Sequence, residues 1–326
     1  MKKTILLLLS IIFSINVISQ EKGSYIKLSG GTGISGFMYD FAEINFAIPT
    51  YDLKLGWQTS ASYSYYFTEL WGVSTGLGVS QYRSQCKLNG AFQENAPFIL
   101  GNYAGVDPFD GHATYYELRV RTRDWEEQQK GYFLEIPLMA NFHAKFGANE
   151  RWGLFANLGC KFQLPLKVEY QIIDGEHASD YKLNVSGYYA ERNLELGGPH
   201  SPGVGLSGFG STHNPSEVLT YEHGRNNIKF NISMVSELGF LFSLCKRIDV
   251  ALGYFVDCSL LQQRGILKED TNETPLFVGP DSNYAALAQD YNIANGITYT
   301  SMIKNKYIDK VTTISSGIKM ELRVKL

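Results

Sequence analysis

Taken at every second residue, the segment Tyr132–Phe146 separates into two rows. Tyr132, Leu134, Ile136, Leu138, Ala140, Phe142, Ala144 and Phe146 form one row. Phe133, Glu135, Pro137, Met139, Asn141, His143 and Lys145 form the other. The first row is wholly apolar and the second holds all the charge, which is the period of a strand and not of a helix. The next segment repeats it: Trp152, Leu154, Ala156, Leu158, Cys160, Phe162, Leu164, Leu166 and Val168 stand against Gly153, Phe155, Asn157, Gly159, Lys161, Gln163, Pro165, Lys167 and Glu169. Gly147–Arg151 between them reads as a turn. The same alternation gives apolar rows Ile26–Ile34, Leu55–Phe67, Trp71–Val79, Ile228–Leu244, Ile248–Leu260 and Ile314–Leu326, each opposed by Gly, Ser, Lys or acidic positions.

The pattern predicts an all-β chain, an antiparallel up-and-down transmembrane β-barrel of about eight strands, an allowed even number. A soluble β-sandwich also alternates. Two features favour the barrel. Short turns alternate with long connections, as when one end faces the periplasm and the other the cell exterior. The strand ends at the short turns carry Phe67, Trp71, Phe146, Trp152 and Phe242, the makings of a periplasmic aromatic girdle. The long extracellular connections are expected at Phe37–Asp52, Ser84–Lys130, Ile173–Asn226 and Gln262–Asp309, with Tyr115–Arg123 read as a strand extension above the membrane.

Composition fits this picture. Of 326 residues, 44% are hydrophobic and 19% charged, which excludes disorder and collagen-like order. The formal net charge of −3 gives no basic surface for nucleic acid. Mean hydropathy is only −0.15, and past the first twenty residues no run is apolar enough to cross a bilayer as a helix. A barrel removes the conflict, because lipid meets only alternate residues. Lys2 and Lys3, the apolar run Ile5–Ile18 and the small residue Ser19 read as a secretory signal peptide over residues 1–19, leaving a single barrel domain over 20–326.

Tyr132-Phe133-Leu134-Glu135-Ile136-Pro137-Leu138, followed by Gly153-Leu154-Phe155-Ala156-Asn157-Leu158-Gly159 and Pro165, resembles the outer-membrane β-barrel family of Bacteroidetes often labelled PorT-like. That family is similar to the eight-stranded OmpA/OmpX-type barrel. The resemblance covers the strands and none of the long connections. It implies an outer-membrane location in a Gram-negative bacterium and, through PorT, a link to type IX secretion.

Two motifs are set aside on context. Gly31-Thr32-Gly33-Ile34-Ser35-Gly36 satisfies G-x-G-x-x-G but lacks the following helix that would hold a pyrophosphate. Gly72-Val73-Ser74-Thr75-Gly76 satisfies G-x-S-x-G, yet its serine lies mid-strand rather than on a strand-to-helix turn. The inward charges say more. Glu135, Lys161, Glu237, Asp257, Lys319, Glu321 and Arg323 share the lumen face by parity. Tight turns would bring Glu135 near Lys161 and set Glu237 across from Asp257, with Lys161 level with Glu237. The expected role is a structural network filling a narrow interior.

His143 faces the lumen, while His112, His177, His200, His213 and His223 fall in the long connections at spacings that match no metal-ligand pattern. Cys86, Cys160, Cys245 and Cys258 read as small apolar residues without a disulfide framework. Tyr188, Tyr189, His200, Tyr221 and His223 are candidate contacts on the third connection.

The functional expectation is a monomeric, non-enzymatic outer-membrane barrel whose external part binds a protein, a glycan or a surface. It needs no cofactor or metal, and its partners are outer-membrane lipid and an envelope protein or extracellular ligand. The alternatives are an accessory barrel of an envelope or type IX secretion machine, and a hydrolase with a His/acid site in the connections.

Overall fold

The computed structural model describes residues 22–41, 48–89, 98–106, 110–122, 125–146, 151–172, 183–196, 223–225, 228–261, 277–278, 298–299, 301, 303 and 308–326. The strands in chain order are β1 (Gly23–Phe41), β2 (Ile48–Tyr66), β3 (Trp71–Asn89), β4 (Phe98–Val106), β5 (Ala113–Thr122), β6 (Trp125–Phe146), β7 (Trp152–Ile172), β8 (Leu183–Tyr189), β9 (Leu194–Leu196), β10 (His223–Arg225), β11 (Asn231–Cys245), β12 (Ile248–Ser259), β13 (Phe277–Val278), β14 (Thr298–Tyr299) and β15 (Ile308–Lys325). Among the described residues no α-helix occurs; Ala190–Arg192 forms a 3-10 turn.

Eight of these strands close a ring in the order β1-β2-β3-β6-β7-β11-β12-β15, every neighbour antiparallel and β15 pairing back to β1. The register gives the stagger. From His143 the pairing runs through Phe155, Gly239, Gly253, Lys319, Gly31, Gln58 and Ser80 to Phe133, ten residues further along β6. Ten residues of rise over eight strand spacings tilts the strands by roughly 40°.

Outward rows are apolar and exposed: Leu55, Leu138, Leu158, Leu238, Phe240, Leu252, Ile318 and Met320 among them. Inward rows are buried and largely polar. Lumen aromatics lie over inward glycines. A Cβ on Gly239 or Gly253 would come within 2.7 Å of the Phe155 ring. These positions are glycine because the ring occupies the space their side chains would take.

The structure corrects the expected connections. β1 and β2 rise to Phe41 and from Ile48, and β3 and β6 run to Asn89 and from Trp125, so much of the first two expected connections is strand. Tyr115–Arg123 does not extend a barrel strand. Residues 113–122 form β5 of a separate four-stranded sheet, β4-β5-β8-β9, which combines strands from the second and third connections. Val168 does not face lipid. Tyr132 pairs with Lys167 while Phe133 pairs with Pro165, so Leu166 is the extra residue of a bulge that turns Val168 inward, 2% exposed, and Lys167 outward. Ile228 precedes β11 and is buried rather than lipid-facing. β10 pairs with Glu169–Gln171 of β7 on the same register that β11 keeps lower down, so β10 and β11 are one line of pairing with an interruption.

Candidate functional site

The inward side chains fill the barrel in layers. At the centre, Lys161 Nζ lies 3.2 Å from Glu135 Oε2 and 3.1 Å from Asp257 Oδ2, and it donates to Gln58 Oε1 at 2.7 Å. Glu135 Oε1 accepts from Ser80 Oγ at 2.7 Å and Gln163 Nε2 at 3.0 Å. Tyr82 Oη donates to Asp257 Oδ2 at 3.2 Å and accepts from Gln163 Nε2 at 2.7 Å. One ammonium thus serves two carboxylates, and neutral donors add to Glu135 Oε1 and Asp257 Oδ2, which offsets part of the cost of burying the charge, while Asp257 Oδ1 has no hydrogen-bond partner among the described residues.

The structure brings Glu135 and Lys161 together and separates Glu237 from Asp257. A bulge between Ser243 and Cys245 shifts the β11–β12 ladder, so Glu237 faces Phe255 and Asp257 faces Val235. Lys161 is not level with Glu237 either: Ser233 is its partner on β11, while Glu237 faces Asn157. Glu237 instead accepts from Lys319 Nζ at 2.6 Å and Asn157 Nδ2 at 2.8 Å. Glu321 joins the chain, 3.7 Å from Lys319 Nζ, and accepts from Arg323 Nε at 2.5 Å.

Towards the short turns, Arg323 stands 4.8 Å from the Phe155 ring centroid, and the His143 ring stacks on Tyr66 at 3.9 Å. Lys27 donates to Asn141 Oδ1 at 3.2 Å, and Lys145 donates to Asp249 Oδ1 at 3.0 Å. At the opposite end, Phe37, Tyr82 and Phe133 pack with centroids 5.3 to 6.4 Å apart. Above them Tyr39 donates to Gln129, Gln129 donates to Glu127, and Ser301 Oγ donates to Glu127 at 2.9 Å. Between the charged layers lies a polar cavity of about 30 Å³, lined by Lys27, Gln58, Glu135, Lys161, Glu237 and Lys319 among others. That is room for about one water.

Lys27, Asp249, Tyr82 and Gln163 belong to this network without having been singled out in the sequence. Parity already puts Lys27 and Asp249 on the inward rows. Tyr82 and Gln163 carry no charge to draw notice, and only the ring closure shows that β3 and β7 meet across the lumen.

The girdle residues lie outward at the short-turn end: Phe67, Trp71 and Trp152 are exposed, Trp152 packs on Phe242 at 4.8 Å, and Phe146 pairs with Trp152. Cys86 is buried, Cys160 half-buried, Cys245 and Cys258 exposed, and all four are free thiols.

Above the barrel, the four-stranded sheet is tied across its parts. Arg192 Nη2 donates to Asp110 Oδ2 at 2.7 Å, joining the second and third connections. Arg119 Cζ sits 3.6 Å over the Tyr188 ring while its Nε donates to Glu117 Oε1 at 2.6 Å. Tyr188 donates to Asn193, whose φ of 49° makes the left-handed turn into β9. Tyr189 is buried and donates to Glu191, whereas Tyr115 is 70% exposed. Of the remaining candidate contacts, His223 opens β10 opposite Gln171, and His200 and Tyr221 lie outside the described residues, as do His177 and His213.

A family model described as outer membrane protein beta-barrel domain matches residues 18–207. No curated protein matches the chain. Among solved structures, the outer membrane protein OprG of Pseudomonas aeruginosa is 12% identical, covering 95% of this chain and 100% of that chain with a TM-score of 0.34. The attachment invasion locus protein Ail of Yersinia pestis, solved in complex with the heparin analogue sucrose octasulfate, is 11% identical over 92% and 99%, TM-score 0.29. Neisserial surface protein A is 7% identical over 94% and 100%, TM-score 0.32.

Proposed function

The chain belongs to the outer membrane protein beta-barrel domain family, and from that premise we infer that it is a recognition protein of the outer membrane, working through its external sheet and connections and not through its lumen. The observation that carries this reading is the division of the molecule. The interior is packed with ion-paired and hydrogen-bonded side chains around a cavity of about 30 Å³, too small for any substrate. The second and third connections, by contrast, build a sheet of their own, with Tyr115 exposed and Arg119 stacked on Tyr188. Aromatic and arginine side chains on a scaffold outside the membrane suit binding to a protein, a glycan or a surface. No catalysis is assigned.

Residues 1–19 are proposed as the export signal, with the short turns in the periplasm. Tyr132–Leu138 and Gly153–Gly159 support a PorT-like, Bacteroidetes origin.

Replacing residues 90–124 and 173–226 by short turns tests the function. The shortened chain is expected to insert and migrate as a folded barrel, while cells displaying it lose the binding that the full chain confers. Retained binding would overturn the reading. Loss of binding from a single His or acid substitution, with a turnover number to match, would favour a hydrolase instead.

A further inference from the structure

At the end of the barrel away from the short turns, the outward apolar rows stop in an ordered way. On β2 the row from Tyr65 through Tyr63, Ala61, Trp57 and Leu55 gives way to Lys54, then Asp52. On β6 it passes from Leu138 through Ile136, Leu134 and Tyr132 to Lys130, with Glu126 four residues further out. On β7 it ends at Leu166, followed by Lys167 and then Glu169. On β15 it ends in Lys310. On three strands a lysine therefore comes first above the apolar band and a carboxylate only beyond it. Lys54, Lys167 and Lys310 side chains are 36%, 42% and 32% exposed.

The ring has a focus. Arg83 of β3 and Lys130 of β6 are directly paired positions, and on the other side of Lys130 the register places Glu169, with Tyr132 facing Lys167 one step nearer the apolar band. Lys130 Nζ stands 5.2 Å over the Tyr132 ring. Arg83, Lys130 and Lys167 thus lie at neighbouring register positions around one tyrosine, three cations against a single half-buried carboxylate, Glu169, which is ion-paired with Lys167. Like charges on directly opposite residues destabilise a strand pair. The arrangement is favourable where an anion lies over them. Away from the focus the accompanying carboxylates are exposed, Asp52 beside Lys54 at 3.9 Å and Asp40 beside Lys310 at 3.5 Å, and exposed pairs of this kind are weak and exchange readily for another anion.

We propose that this cationic ring, centred on Arg83, Lys130 and Lys167, is a binding surface for the phosphate groups of an anionic lipid in the outer leaflet. Lysines and arginines at the level of a charged headgroup layer bind it by direct attraction, and their long stems lie along the apolar wall while the charged ends reach the phosphates. The tyrosine supplies the flat, amphipathic contact expected at an interface. The proposal rests on the outer-membrane reading, since the ring meets an outer leaflet only if the short turns are periplasmic.

The test uses the full chain reconstituted in two kinds of vesicle, phosphatidylcholine alone and phosphatidylcholine containing bis-phosphorylated lipid A. Thermal unfolding is followed by the heat-dependent gel shift. The expected result is a higher unfolding temperature with lipid A, reversed by high salt and not reproduced by inorganic phosphate added to phosphatidylcholine vesicles. The triple variant Arg83→Gln/Lys130→Gln/Lys167→Gln is expected to insert, to lose the increase and to bind lipid A roughly a hundredfold more weakly by native mass spectrometry. The control Lys246→Gln/Arg247→Gln, at a short turn, keeps the increase. An equal unfolding temperature in both vesicles, or an increase that survives the triple substitution, overturns the ring as a lipid site. An increase produced equally by inorganic phosphate overturns the lipid as its occupant. A chain that inserts in neither vesicle overturns the barrel reading itself.

Discussion

Lys161 shows what a single side chain does in this lumen. It has 7% of its side chain exposed and sits between Glu135 and Asp257, so its ammonium holds two buried carboxylates in place. Replacing it by Met keeps the length and volume and removes the charge. Breaking a buried ion pair from one side costs about 3–5 kcal/mol, because the partner is left charged and dry. Lys161→Met is expected to lower the temperature at which the folded gel band disappears, and Lys161→Met/Asp257→Asn to recover part of the loss. An unchanged temperature in the single variant would mean that the centre of the barrel is wetter than the structure shows. Both ends of this contact were legible to different degrees. Glu135 and Lys161 follow from parity and from the short turn between their strands. The approach of Asp257 does not, because it depends on the bulge between Ser243 and Cys245 and on the ten-residue stagger of the closed ring. A period of two says which face a residue occupies, not how high it stands.

At the scale of the strand, β7 marks where alternation stops being a guide. Up to Gln163 its inward and outward rows are those the sequence predicts. Leu166 then adds one residue opposite the Tyr132–Phe133 step, and every side chain beyond it changes face. The sequence carries a trace of this in Pro165, which gives no ladder hydrogen bond and so favours a bulge, but the rows Leu166, Val168 and Lys167, Glu169 still alternate smoothly across it. Two substitutions separate the readings. Val168→Asp places a charge on a residue that is 2% exposed, on the side of the strand where Gly131, Phe37 and Phe133 pack. It is expected to lower the unfolding temperature sharply. Lys167→Asp changes a residue at the outer surface and, in phosphatidylcholine vesicles without anionic lipid, is expected to lower it far less. The opposite ranking would show that β7 runs without a bulge. The external sheet was beyond the sequence for a different reason. β5 shows alternation, yet its partners β4, β8 and β9 come from both sides of the barrel hairpin β6–β7, and no local pattern announces a pairing across so much intervening chain.

For the whole molecule, the packing of the lumen decides whether solutes can cross. Eight strands enclose a space that side chains can fill. Here it is occupied by the Tyr66–His143 stack near the short turns, by the chain Glu237–Lys319–Glu321–Arg323, by the Glu135–Lys161–Asp257 centre, and by Phe37, Tyr82 and Phe133 above them. An ion crossing the lumen would have to displace charged layers whose members are already ion-paired with one another and pass the packed aromatic side chains. The reconstituted protein is therefore expected to give no steady conductance in a planar bilayer at moderate voltage and salt. Phe133→Ala sharpens the test. It opens a void among Phe37, Tyr82 and Gly131 but leaves the Lys161 centre closed, so this variant is expected to be less stable and still non-conducting. Discrete, reproducible current steps from the wild-type chain would show that the charged layers part readily. The lumen would then be a pathway, and contact with solutes would no longer be confined to the outer surfaces of the molecule.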